Sequence, residues 1–335
     1  MAFLRYYGMM PGIVSGHYRD DDGLIDLRAL ASTANIRFLE ETVVSLDVET
    51  QHIGLKDGTS LPFDYCSIDT GGISRAESVL DSDSRILDIR PIDRFAAQWR
   101  ARLDASNDRI IRIAVIGGGA GGVELAFALR NSGEIADRVD VRLICGRQGL
   151  LPDHGALTRK FVAQELARQN IRLDERDAQL VNGQLFADTQ SIEPVDHIIT
   201  ALGGAAARWP AQSGLAVDED GFVMVDRYQR SVSHPNILAT GDIAARQDRV
   251  VPHSGVHAVR TGPVLAANLR SILAGAMPTR SYSPRLSSLY LLSTGNRSAI
   301  LSYGPIAARG RWVWRLKRWI DKRWVRAYAR LAGRS

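Results

Sequence analysis

The glycines at 117, 119 and 122 carry the most specific chemistry in this sequence. Their Gly-x-Gly-x-x-Gly spacing follows an apolar run, Arg109–Ile116, and opens a helical stretch, GVELAFALRN. Between a strand and a helix, that spacing marks a loop that holds a dinucleotide pyrophosphate. Gly117 permits the tight turn, Gly119 lets backbone approach the phosphates, and Gly122 allows close helix–strand packing. The helix start then adds N–H donors and a positive dipole end. A second group is Thr240-Gly241-Asp242, after the strand-like Asn236–Ala239. An Asp beside Gly at a strand end can hold a ribitol or ribose hydroxyl. Taken alone it is equally an ordinary helix cap.

Other candidates are less specific. The residue that selects the ribose is expected where the second strand ends, and there the chain reads Ile144-Cys145-Gly146-Arg147, without a carboxylate. Asp140 sits at the wrong end of that strand. Arg147 has two readings: it accommodates a 2′-phosphate, which favours NADPH, or it is a solvated surface charge. The two cysteines, Cys66 and Cys145, form no CxxC or CxxxxC pair, so a redox dithiol is not indicated.

These residues need elements to position them. The run Arg109–Ile116, the Gly loop, the helix and the strand Val139–Ile144 together make a βαβ unit. A helix over 156–169 and a strand Asp196–Ala201, ending in Leu202-Gly203-Gly204, extend it. Earlier, the start YYGMMPGIVSGHY reads as loop entering a short helix, 25–34 as helix and Ile36–Leu39 as strand. Val43–Asp47 and Gln51–Leu55 are strands, and Asp57-Gly58 marks a hairpin turn. Phe63–Asp69 is a further strand ending in Thr70-Gly71-Gly72, and 91–105 is an amphipathic helix. Later, Phe222–Val225 and Ile237–Ala239 are strands, Gly255–Leu273 is a helix, and Tyr290–Ser302 is a hairpin around Gly295-Asn296. Trp312–Leu331 is the last helix.

At 335 residues, with 45% hydrophobic and 24% charged composition, the chain can form two domains, or one inserted in another. No apolar run is long enough for a membrane-spanning helix, and no signal peptide is evident. The net charge of +5 is unevenly spread: residues 309–335 carry +9, which leaves −4 for the rest. Four of the six tryptophans, at 312, 314, 319 and 324, lie in that tail. Val313, Leu316, Ile320, Trp324, Ala327 and Leu331 make one apolar stripe. Arg315, Lys317, Arg318, Lys322, Arg323, Arg326 and Arg330 dominate the remaining surface. One reading is a helix lying in a membrane interface against anionic lipid over 312–331. The other is a helix packed on the body with solvated arginines. No nucleic-acid partner is expected, because no recognisable nucleic-acid-binding fold accompanies the basic tail.

The order of motifs carries a resemblance. Thr70-Gly71-Gly72, the 117–122 loop, Ala201-Leu202-Gly203-Gly204 and Ala239-Thr240-Gly241-Asp242 together resemble the pyridine nucleotide-disulfide oxidoreductase superfamily. More narrowly, the chain is similar to type II NADH dehydrogenase-like flavoproteins, and close to the oxidoreductase modules fused to selenophosphate synthase. Tyr7–Gly12, Gly16-His17-Tyr18 and the 255–269 segment carry that narrower likeness. The resemblance implies an α/β, two-dinucleotide-binding-domain flavoprotein fold, in which a Rossmann-like NAD(P) domain is inserted in an FAD domain. The implied cofactors are FAD with NADH or NADPH. Asp242 would hold the ribityl chain, with Thr240, Gly241 and Gly203 in supporting loops. The helix from Ser254-Gly255 would aim its N-terminus at the flavin. Glu124 would lie near the nicotinamide. Hydride passes from nicotinamide to flavin and on to a quinone-like or other acceptor. The implied divisions are 1–106 (first part of the FAD domain, incomplete), 107–205 (NAD(P) domain), 206–275 (second part of the FAD domain) and 276–335 (C-terminal hairpin and basic helix).

The chain departs from the family in two places. The family's first strand and first GxGxxG are missing: Gly8, Gly12 and Gly16 are spaced by four and interrupted by Pro11. The chain thus enters the fold about thirty residues late, the length of a first βαβ unit. Three explanations are ranked: a misassigned start codon, a degenerate gene, and loss of tight FAD binding. The quinone motif of type II NADH dehydrogenases is also absent, and His253 and His257 stand in that stretch. Either is a candidate proton donor, or an ordinary hydrogen-bonded helix-end histidine. Two alternatives to the enzyme stay open, a flavin-free NAD(P)H-binding regulatory remnant and a redox module serving selenium metabolism. A cytoplasmic protein, peripheral on the inner face of the cell membrane and forming a homodimer, completes the expectation.

Overall fold

The computed structural model describes residues 2–76, 79–105 and 109–333. The chain forms two compact units. The larger holds Ala2–Phe38, Ser74–Gly203 and the chain from Ser287 onward; the smaller holds Leu39–Ile73 and Gly204–Leu286. These cuts fall at other points than 205/206 and 275/276, and the expected 106/107 boundary lies outside the described residues.

The larger unit is built on a five-stranded parallel sheet. Its order is Arg172–Asp174, Val139–Ile144, Ile111–Ile116, His197–Thr200, Ile86–Asp88. Covered on both faces, such strands read as near-continuous apolar runs, and Ile111–Ile116 does so with one partly exposed residue, Arg112. Residues 120–130 form the Gly-loop helix, Ala120–Arg130, which buries Val123 and Leu125–Leu129. Met9, Met10, Ile13 and Val14 join the same core as Phe127, so the N-terminal segment packs on this helix. A methyl on Gly12 would meet the Tyr18 ring at 2.2 Å, so this glycine makes room for an aromatic side chain. An antiparallel sheet, Leu289–Ser293, Ala299–Tyr303 and Ile306–Gly310, follows, then the terminal helix Arg311–Leu331.

The smaller unit holds a meander of Val43–Asp47, His52–Leu55 and Ser60–Pro62, turned at Asp57-Gly58 as expected. Two parallel pairs accompany it: Cys66–Ile68 with Ile237–Ala239, and Val223–Val225 with Ala244–Arg246. The helix Gly255–Leu273 has the expected bounds.

Several expectations need correction. Ile36–Leu39 is not a strand; Ile36 is exposed, and its N–H closes the preceding helix on Ala31. Four residues, three of them apolar, cannot by themselves specify a strand. The helix expected over 25–34 is Leu27–Thr33, because Leu24–Asp26 pairs with Phe3–Arg5 and Asp26 caps the helix through the Ala29 N–H at 2.9 Å. The expected strand Phe63–Asp69 is only Cys66–Ile68, and the 290–302 hairpin gains a third strand. The terminal helix packs on the body, as one of its two readings held. Its buried side includes Val313 and Asp321, while Ala327 and Leu331 of the expected stripe are exposed. Lys317, expected at the surface, points inward. Among the described residues no helix is long and apolar enough to cross a membrane.

Candidate functional site

In the larger unit the three fingerprint glycines have distinct surroundings. Gly117 has φ +136°, and a Cβ there would stand 2.4 Å from the Ala201 carbonyl. A Cβ on Gly122 would stand 2.0 Å from the Gly117 carbonyl oxygen. At Gly119 a Cβ would meet nothing within 4 Å. Protein therefore closes around the outer two glycines and leaves the middle one open. Gly119 also caps the Gly-loop helix without a side chain, which leaves the first N–H groups available to an anion. Gly203, beyond the strand His197–Thr200, is likewise open on its Cβ side. These residues fit a bound dinucleotide.

Arg147 is already engaged. Its side chain pairs with Asp177 and with Asp188, each at 3.3 Å, and its N–H donates to Asp177 at 3.0 Å. Of its two readings, the solvated, paired surface charge matches this geometry.

Glu124 lies in the interior of the larger unit. Its carboxylate accepts the Ser293 N–H at 2.8 Å and stands 4.0 Å from the Lys317 ammonium. Lys317 donates to Asp321 at 3.1 Å and to the Gly8 carbonyl at 2.8 Å. Burial pushes the Glu124 and Asp321 carboxyls above their ordinary range, and Lys317 opposes it. Burial also works against the charge on Lys317, but Glu124 and Asp321 more than offset it and hold the ammonium above the usual lysine range. The group expected beside a nicotinamide thus has structural partners that sequence reasoning missed. Lys317 is four residues before Asp321, a spacing that pairs side chains on one helix face, and that spacing was the available signal.

In the smaller unit the carboxyl ends of two parallel strands meet. Ile68 pairs with Ala239 in register, and the Thr240 N–H donates to the Ile68 carbonyl at 3.0 Å. Asp69 and Asp242 follow. The Asp69 carboxylate stands 2.4 Å from where a Cβ on Gly241 would be, and Gly241 has φ +70°, so no larger residue fits that turn. Burial, then the charge of Asp242, pushes the Asp69 carboxyl up to about 6. A pocket of about 20 Å³, room for about one water, is lined by Gln229, Asp242, Arg246, His253, Ser254 and His257. The Gln229 amide nitrogen and the Thr240 and Ser254 hydroxyls are buried without a hydrogen-bond partner. Buried orphan groups beside a carboxylate suit a polyhydroxylated ligand such as a ribityl chain. Ser254 caps the Gly255–Leu273 helix by backbone only. His253 stacks on Phe222 with ring centroids 4.1 Å apart. His257 is buried, and its Nδ1 lies 2.7 Å from the Tyr282 hydroxyl, the ordinary hydrogen-bonded state. Burial, then Arg260, lowers its pKa.

Both cysteines are buried free thiols, and burial pushes Cys66 up to about 11 and Cys145 to about 12. Neither is poised for thiolate chemistry.

Comparison with known proteins fits this geometry. Residues 5–262 match the pyridine nucleotide-disulphide oxidoreductase family. Ferroptosis suppressor protein 1 of Taeniopygia guttata is 24% identical over 283 residues, covering 78% of this chain and 70% of that protein. Demethylphylloquinone reductase NdbB of Synechocystis sp. is 25% identical over 289 residues, covering 82% and 70%. The sulfide:quinone oxidoreductase structure from Aquifex aeolicus superposes with a TM-score of 0.78 at 17% identity, covering 99% of this chain and 84% of that one, which shows a shared fold.

Proposed function

Because this chain belongs to the pyridine nucleotide-disulphide oxidoreductase family, we propose that it is a flavoprotein oxidoreductase passing electrons from NAD(P)H to a quinone-like acceptor. The cofactors of the family are FAD and NAD(P)H. The observation that carries the reading is the Gly loop, closed at Gly117 and Gly122 and open at Gly119 above an uncapped helix start. When bound, the nicotinamide supplies a hydride and the flavin accepts it. The chain's own residues bind and orient. Gly117, Gly119 and Gly122 hold the pyrophosphate, and Gly203 keeps a neighbouring loop clear of it. Asp242, Gly241, Thr240 and Gln229 take the ribityl hydroxyls, and the helix opening at Ser254-Gly255 presents its positive end. His253, on the pocket wall and stacked on Phe222, is the candidate proton donor to the acceptor. Glu124, 4.0 Å from Lys317, ties the Gly-loop helix to the terminal helix. A quinone acceptor is supported by the relative whose name specifies demethylphylloquinone, and by two buried, unpaired cysteines that leave no dithiol to reduce.

The test is the visible spectrum of the purified chain with and without added FAD. Bands near 370 and 450 nm, roughly the flavin's own, should bleach with NADH or NADPH, and Asp242→Ala should purify colourless. A wild-type chain that stays colourless with FAD sinks the flavin half of the reading and leaves a nucleotide-binding regulator.

The acceptor's solvent is part of the same proposal. Quinones with prenyl tails dissolve in lipid, and the outer face of the terminal helix suits an anionic membrane. Trp312 and Trp319 are 54% and 59% exposed, and Arg315, Arg318, Arg323, Arg326 and Arg330 stand beside them. Arg318 lies 5.6 Å over Trp314, and Arg323 lies 5.5 Å over Trp319. Each cation near an anionic surface contributes about 1 kcal/mol. The protein should float with phosphatidylcholine vesicles containing phosphatidylglycerol and not with phosphatidylcholine alone. The Arg318→Glu/Arg323→Glu double variant should lose most of that binding. Equal flotation with both vesicle types, or no effect of the double variant, removes this face from membrane contact.

A further inference from the structure

The ribose-selecting corner of the nucleotide site holds more carboxylates than its strand end suggests. Val139–Ile144 ends beside Arg172–Asp174, with Ile144 opposite Asp174 and the Cys145 N–H donating to the Asp174 carbonyl at 2.7 Å. The segment following Asp174 therefore lies against the loop that follows Ile144. Glu175 accepts the Leu150 N–H at 3.1 Å. Asp177 accepts the Arg147 N–H and stands 3.0 Å from where a Cβ on Gly146 would be. Asp188 backs Asp177 by accepting its N–H at 3.2 Å. This loop also touches the fingerprint. A Cβ on Gly118 would stand 2.6 Å from the Gly149 carbonyl, and the Leu151 N–H donates to the Gly118 carbonyl at 2.9 Å. The carboxylates absent from the end of Val139–Ile144 are thus delivered by the segment after Asp174 and by the hairpin between Gln184–Ala187 and Gln190–Ser191.

We infer that Asp177 and Asp188 set this site for NADH against NADPH, by occupying Arg147 and by offering carboxylate oxygens to the ribose hydroxyls. The inference rests on the dinucleotide reading of the Gly loop. A 2′-hydroxyl donates a hydrogen bond to a carboxylate, which is the usual way an acidic residue selects NAD. A 2′-phosphate carries roughly −1.5 to −2 charge and needs a free guanidinium. Arg147 is not free, since both carboxylates hold it at 3.3 Å. The nearby Arg142 and Arg176 are both paired with Asp174, at 3.4 and 2.6 Å. Glu175 adds a third carboxylate to the same loop, where it accepts the Leu150 N–H. Exposed ion pairs are individually weak, so the selectivity comes from the summed charge at the corner, and replacing the two aspartates should move it without unfolding the unit.

The test is equilibrium binding of NADH and NADPH, read from nicotinamide fluorescence on the purified chain, with melting temperature as the fold control. The wild type should bind NADH at least about tenfold more tightly, and the Asp177→Asn/Asp188→Asn variant should narrow that ratio to within about threefold, by strengthening NADPH binding. Arg147→Ala should leave the wild-type preference in place. A wild type that prefers NADPH, or an Arg147→Ala variant that loses NADPH binding selectively, overturns the inference, because Arg147 would then be the phosphate ligand. A folded wild type that binds neither coenzyme removes the dinucleotide reading itself, and the inference with it.

Discussion

Lys317→Met should destabilise the larger unit by about 3–5 kcal/mol, the cost of leaving buried charges without their partner. The ammonium faces the Asp321 carboxylate at 3.1 Å and Glu124 at 4.0 Å, and also donates to the Gly8 carbonyl. Methionine keeps the length of the stem and removes only the charge and the donors. Two carboxyls are then buried with no cation, and each must stay uncharged or pay for desolvation. Both already stand above their ordinary values through burial. A carboxyl raised in the folded state loses stability as pH climbs above its unfolded value of about 4. The deficit of the variant should therefore be small near pH 4 and full at neutral pH. Urea unfolding at both pH values reads this directly. Adding Glu124→Gln and Asp321→Asn should restore most of the loss at neutral pH. A cost below about 1 kcal/mol, unchanged with pH, would mean the ammonium compensates nothing.

The second large effect concerns the Gly loop, where two alanine substitutions should behave differently. Gly122→Ala puts a methyl 2.0 Å from the Gly117 carbonyl oxygen, both within the fingerprint turn. Neither atom belongs to a flexible side chain, so the turn or the helix start must shift. Overpacking of this kind costs about 1–3 kcal/mol, and the N–H groups lose their aim. NADH binding should weaken about 100-fold or more, roughly 3 kcal/mol, and the melting temperature should fall. Gly119→Ala meets nothing within 4 Å, and its extended backbone, φ −73°, suits alanine. That variant should be as stable as the wild type, within about 0.5 kcal/mol, while its methyl fills the space through which a pyrophosphate approaches. It should lose coenzyme with an unchanged fold. If Gly119→Ala binds NADH as tightly as the wild type, the open side of that glycine does not face the ligand.

Where the chain's own periodicity decides, the sequence was legible. Val139–Ile144, Ile237–Ala239 and Gly255–Leu273 fall where apolar pattern and turn residues put them, and Gly117 and Gly122 stand where a side chain would clash. What could not be read depends on which strand lies beside which. Asp177 and Asp188 are 30 and 41 residues from Arg147, and only the pairing of neighbouring strands brings them to it. Asp69 and Asp242 meet through the register of Ile68 with Ala239. That pair had a local signal, since each Asp ends an apolar strand beside a Thr-Gly step. Lys317 reads as one more surface cation in a basic helix because pattern alone cannot mark the single position where charge turns inward to meet a buried acid. The short strands Ile86–Asp88 and Arg172–Asp174 have no alternation to reveal them and exist only as additions to the sheet.

The bond from Lys317 to the carbonyl of Gly8 joins residues 309 positions apart. On a ribosome these partners do not exist together for most of synthesis. The N-terminal segment can pack on the Gly-loop helix once residue 130 has emerged. At about 5–20 residues per second, the lysine follows roughly ten to forty seconds later. If the N-terminal segment docks that early, Glu124 waits beneath it without the Lys317 cation. The larger unit should therefore stay loose and open to proteases and chaperones until its last helix is made. A ribosome stalled short of residue 317 should display a chain whose nucleotide fold is recognisable but not closed.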